Sequence, residues 1–130
     1  CLGMSTFAYD TTLNSANSKV SVYRYQYISN CSSILTISGN VATCESSLTG
    51  YYGETESIEV TQTLQRKNIF GGWSYVDSWN DNVDYHKISV TNYSHGLDDG
   101  TYRLVSDFTV YTSNDYEESS KTSQEVTFAI

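Results

Sequence analysis

The chain is 130 residues long and carries 7 Lys+Arg against 15 Asp+Glu, a net charge of -8 at pH 7. That balance lacks the clustered cations needed to bind phosphate backbones or anionic lipid surfaces, so a nucleic-acid role is set aside. Aromatic residues make up 14% of the chain, 12 of them Tyr, too much apolar surface for intrinsic disorder, and no apolar run approaches the roughly 18 residues of a membrane-spanning helix.

In chain order, residues 1–8 (CLGMSTFA) read as the tail of a secretory signal peptide, with Thr6 and Ala8 as the small residues before a cut and a mature chain beginning near Tyr9. The competing reading makes Cys1 the lipid-anchored first residue of a surface protein. Either way the expected location is secreted or at the cell surface. Residues 9–19 are polar and expected to be loose, and residues 20–130 form one domain. There the sequence breaks into short segments of alternating polarity, rich in Val, Thr, Tyr and Ser, which predict strands. Pro is absent, leaving the turns to Gly, Asn, Asp and Ser.

The first strand is predicted over 20–28, followed by a hairpin of 33–37 and 41–48 turning at Gly39-Asn40. Tyr51 and Tyr52 sit in a Gly-flanked loop. Ile58, Val60 and Leu64 mark one face of the next strand, and Phe70-Gly71-Gly72 leads into a strand over 73–79 with Trp73, Tyr75 and Trp79 on one side. Asn80-Asp81-Asn82 reads as a turn before a strand over 85–91. The segment 101–111 is the clearest strand, with Tyr102, Leu104, Phe108 and Val110 on one face. A last strand, 124–130, carries Val126, Phe128 and Ile130. Seven or eight such strands predict an all-β fold, an antiparallel β-sandwich.

With Cys1 set aside, Cys31 and Cys44 are expected to form a disulfide, as an even pair does in a secreted chain. The hairpin register cautions against it, because a turn at Gly39-Asn40 puts Cys44 opposite Leu35. Buried thiols are the alternative.

Asp98-Asp99-Gly100-Thr101-Tyr102 resembles the D-x-G-x-Y pattern that opens strand F of immunoglobulin-like domains. The resemblance implies a tyrosine corner at Tyr102, its ring in the core and its hydroxyl on backbone just upstream. The strand F cysteine of true immunoglobulin domains is replaced by Leu104. The wider run from Asn30 to Tyr111 is similar to small secreted proteins of clostridia-type Gram-positive bacteria, a likeness that implies an extracellular protein and no activity.

Catalysis needs a convergent set of tuned groups, and the supply is thin. His86 and His95 are the only histidines, no nucleophile elbow is present, and the pairs Glu54/Glu56, Asp98/Asp99 and Glu117/Glu118 read as charged turns. No enzyme activity and no cofactor are expected. The stretch Asp77 to Asp84 gathers hard oxygen ligands without the Gly and Glu of an EF-hand; it reads as a solvated turn, with an adventitious calcium site as the alternative. The candidate ligand-binding residues are Tyr51, Tyr52, Trp73 and Trp79. They suit a protein or glycan partner if exposed, although Val76 is the only apolar residue on the opposite side of the strand, which favours the Trp face as its core side.

Overall fold

The computed structural model describes residues 26–129. Eight strands follow one another: β1 (Ile28–Ser38), β2 (Val41–Gly50), β3 (Ser57–Lys67), β4 (Trp73–Val83), β5 (Lys87–Ser94), β6 (Gly100–Tyr111), β7 (Tyr116–Thr122) and β8 (Val126–Phe128). One sheet has the order β1-β2-β5 and the other β4-β3-β6-β7, with β8 also paired to β6, and every pairing is antiparallel. The second strand beside the first and fifth, facing a sheet in which the third lies beside the sixth and the sixth beside the seventh, is an immunoglobulin-like sandwich. Here β4 pairs with β3 instead of β5, so the fourth strand has moved to the opposite sheet. No helix of the described residues is long and apolar enough to cross a membrane.

The strand predicted over 20–28 lies outside the described residues apart from its last three positions. β7, with the polar sequence YEESSKT, was not anticipated. Asn80-Asp81-Asn82 is not a turn: β4 continues through it to Val83. Each of these residues pairs with β3, and the hydrogen-bonded rungs outweigh the low strand propensity of Asn and Asp.

Inward positions of β1, β2, β3, β5 and β6 fill two apolar clusters. One holds Ile28, Cys31, Leu48, Ile58, Val60, Ile88, Phe108 and Val110. The other holds Leu35, Ala42, Cys44, Leu64, Leu97, Tyr102 and Leu104. Between them each of four strands turns one polar side chain inward: Ser33, Ser46, Gln62 and Ser106, all buried and Gln62 fully so. They form one chain of hydrogen bonds. Gln62 Nε2 donates to the Cys44 carbonyl (3.0 Å) and to Ser46 Oγ (2.7 Å). Ser106 donates to Ser33 (2.9 Å), and Ser33 to the Leu104 carbonyl (3.1 Å). A hydroxyl has one proton, so the 2.6 Å contact between Ser46 and Ser106 runs from Ser46 to Ser106. At the other end Gln62 Oε1 accepts from Asn92 Nδ2 of β5 (2.7 Å). The belt ties four strands of both sheets together with every member satisfied, the condition under which a buried polar network stabilises one arrangement.

Tyr102 closes the second of these clusters, the lower one. It is 1% exposed, and its hydroxyl donates to the Asp98 carbonyl at 2.5 Å. The expected disulfide between Cys31 and Cys44 is not formed. Cys44 is a buried free thiol, opposite Leu35, while Cys31 lies opposite Leu48. Four rungs along a strand separate the two by roughly 13 Å, well beyond the 7 Å Cα limit for a bridge. Burial pushes the Cys44 thiol up to about 12, with a smaller contribution from Asp77.

Candidate binding surface

The sandwich presents two ends. At one lie the β2–β3 loop (residues 51–56), the β4–β5 turn (84–86) and the β6–β7 turn (112–115). These loops are tied together. Gly50 N–H donates to the His86 carbonyl (2.7 Å), Glu56 N–H to the Tyr111 carbonyl (2.8 Å), and the amides of Glu54 and Thr55 both bond back to the Tyr51 carbonyl. Gly50 is required there, because a β-carbon would lie 2.3 Å from Thr55 Oγ1.

On this scaffold Tyr52 stands 85% exposed, with Tyr51 and Tyr85 also exposed. The Tyr52 ring meets His86 edge-on at 5.2 Å and 82°, and Tyr85 packs tilted against His86 at 4.4 Å. His86 thus contacts two tyrosines from different loops. The same end carries Tyr27, whose hydroxyl donates to Asp115 Oδ2 (2.8 Å), and Tyr111, whose hydroxyl donates to Glu59 Oε1 (3.2 Å). Both phenols are held above the ordinary tyrosine value, first by those hydrogen bonds to carboxylates. A shallow polar hollow beside Tyr27 is lined by Glu54, Glu56, Thr112 and Asn114. The surface is tyrosine-rich and acidic.

The four candidate ligand residues are not brought together. Tyr51 and Tyr52 share the loop just described. A bulge separates the tryptophans: Leu64 pairs with Asp77 and Gln65 with Tyr75, leaving Val76 as an extra residue. The insertion shifts the alternation by one position. Trp79, opposite the inward Gln62, packs with Val76 against the lower cluster, while Trp73 and Tyr75 stand on the outer face. The expectation of one stripe of Trp73, Tyr75 and Trp79 is therefore corrected. Trp73 is also partly covered, with the Arg103 guanidinium 4.2 Å from its ring and fixed by a 2.7 Å bond to Gln65 Oε1.

His86 precedes β5 and His95 follows it. The eight-residue strand between them sets them about 30 Å apart, so they cannot share one site. Asp77 and Asp81 of the suspected calcium stretch face inward on β4. There Asp77 accepts from Ser94 (3.1 Å) and Asp81 from Asn92 (3.4 Å), whereas Asn80 bonds Thr61 (2.7 Å) on the outer face. The strand splits the oxygen ligands between its two faces, and among the described residues no group of three or more His, Cys, Asp or Glu is placed to hold a metal ion.

No family model and no curated protein sequence matches the chain, so the likeness to clostridia-type secreted proteins has no sequence relative behind it. Among solved structures, the chain is similar to the CARDB domain of the PF1109 protein from Pyrococcus furiosus, in complex with di-metal ions. That match has a TM-score of 0.41 and 14% identity, covering 84% of this chain and 99% of the other. The score is too low to carry the fold, which rests on strand order and register.

Proposed function

We propose that this chain is a non-catalytic binding module, acting outside the cell or at its surface, that engages a protein partner through its tyrosine-rich loop end. The observation that carries the reading is the Tyr52–His86–Tyr85 cluster, an exposed aromatic group whose two loops are pinned to each other by the Gly50–His86 bond. Tyrosine on a pre-ordered loop supplies large contact area at low entropic cost, as in antibody paratopes. The acidic surroundings favour a partner with a basic patch. A glycan platform is less well supported, because Trp73, the broadest ring on the outer face, has a guanidinium lying over it.

The test pairs a glycan array with binding to intact cells before and after surface proteolysis, using the parent and a Tyr52→Ala/Tyr85→Ala variant. The expected outcome is a silent array and saturable, protease-sensitive binding that the variant weakens at least tenfold, on the scale of lost aromatic hot spots. Array signals lost in the same variant would replace the protein partner with a carbohydrate, and cell binding unaffected by the variant would move the site elsewhere.

A further inference from the structure

At the opposite end, the β3–β4 turn holds the two most exposed large apolar side chains of the described residues, Ile69 at 92% and Phe70 at 91%. Adjacent residues of this kind at the tip of a loose loop would fold back onto the protein. This turn prevents that. Asn68 Oδ1 accepts from both Phe70 N–H and Gly72 N–H, each at 3.0 Å. Asn68 N–H donates to the Gly72 carbonyl (2.9 Å) and Gly71 N–H to the Asn68 carbonyl (3.0 Å), with Gly71 at φ 86°, where a side chain would be strained.

Behind the tip the hairpin is layered. The first rung pairs Lys67 with Trp73, the next Arg66 with Ser74, and the third Gln65 with Tyr75. The Lys67 ammonium and the Arg103 guanidinium both lie over the Trp73 ring. Lys67 and Trp73 end and begin the two strands, so the Trp and its cations form the first layer directly behind the turn that carries the apolar tip. Elements that lie in a bilayer interface bury apolar side chains about 5–10 Å, with Trp, Tyr and basic residues at headgroup level.

We propose that this hairpin tip docks the domain on a phospholipid bilayer, Ile69 and Phe70 entering the acyl boundary and Trp73, Lys67 and Arg103 meeting the headgroups. The charge distribution agrees. Arg66, Lys67 and Arg103 are balanced there by Asp98, Asp99 and Glu125, the last 3.9 Å from Lys67, so the tip is locally neutral on a chain of net charge -8. The excess negative charge lies elsewhere, and a zwitterionic surface is the one the tip meets without repulsion. Docked this way, the domain would present its tyrosine loops roughly 35–40 Å from the membrane, the length of an 11-residue strand.

The test is flotation with phosphatidylcholine vesicles at up to several millimolar lipid, together with Trp fluorescence using brominated phosphatidylcholine as quencher. Expected are partial binding at about millimolar lipid, as suits two inserted side chains without a lipid chain, and quenching that disappears in a Trp73→Phe variant. Ile69→Ser/Phe70→Ser should lower the partition coefficient at least tenfold with no loss of thermal stability, since both side chains are in solvent. Tyr52→Ala/Tyr85→Ala should leave it unchanged, which separates this inference from the proposed partner site. Absence of flotation at that lipid concentration would overturn the proposal. So would Ile69→Ser/Phe70→Ser abolishing self-association in sedimentation velocity while leaving vesicle binding as it was, which would make the tip a contact between copies.

Discussion

Replacing Gln62 by Leu should be far more damaging alone than in company. The amide makes three hydrogen bonds, to the Cys44 carbonyl, to Ser46 and from Asn92. At about 1 kcal/mol net for each bond, the loss is near 3 kcal/mol; the added apolar surface of Leu offsets part of it, and stranded buried partners add to it, leaving about 2–4 kcal/mol. At roughly 4 °C per kcal/mol for a domain of this size, the melting temperature should fall by about 8–16 °C. Adding Ser46→Ala and Ser106→Ala to Gln62→Leu removes the stranded Ser46 hydroxyl together with the Ser106 hydroxyl it donates to and should restore part of the loss, because removing both sides of a buried polar contact is close to neutral. Urea titration followed by circular dichroism reads the midpoint, with an unchanged slope showing that the unfolded reference is the same. A Gln62→Leu variant within about 0.5 kcal/mol of the parent, or serine replacements that worsen it additively, would refute the idea that the belt acts as one unit.

Tyr102→Phe should cost about 0.5–1.5 kcal/mol, at the low end for a buried hydroxyl, because the Asp98 carbonyl that it serves belongs to an exposed residue and water can replace the phenol; Tyr102→Ala should cost about 3–5 kcal/mol in the same denaturation assay, since the ring is buried. Cys44 should resist maleimide at pH 8 in the folded protein and react on unfolding, read by peptide mapping. Its thiol is raised to about 12 in the fold, so the folded state holds its proton more tightly than the unfolded one. Stability from this group is therefore complete below about pH 9 and lost as pH rises toward 12, and Cys44→Ala should flatten that alkaline decline.

Where side-chain alternation is regular, it was readable directly from the sequence. The inward face of β6 is Tyr102, Leu104, Phe108 and Val110, the face that period two predicts. β4 is the contrary case. Nothing in WSYVDSWNDNV announces that Val76 is an extra residue, and without that bulge the period assigns Trp73 and Tyr75 to the face of Trp79. β7 escaped notice because an edge strand with one face in solvent can be built from Glu, Ser and Lys once its partner strand fixes it. The tyrosine cluster was legible only in part. Tyr51 and Tyr52 stood out beside their glycines, but the meeting of Tyr52 with His86 and Tyr85 depends on which loops share an end of the sandwich.

The polar belt was present in the sequence and needed a different question. The face of β3 that carries Ile58, Val60 and Leu64 includes Gln62 by the same count; likewise Ser46 follows Ala42 and Cys44, Ser106 interrupts the face of β6, and Ser33 lies between Cys31 and Leu35. One polar residue on an apolar face is a defect; four strands with one each at matching depth are a pattern. Apolar contact fixes poorly how far one sheet slides over another, because a shift of two residues along a strand exchanges one branched side chain for the next. A chain of donors running from Gln62 through Ser46 and Ser106 to Ser33 closes in only one alignment, since a shift would bury unpaired hydroxyls against Leu and Val at about 1–3 kcal/mol each. Among the described residues, that penalty is what holds the two sheets in one register.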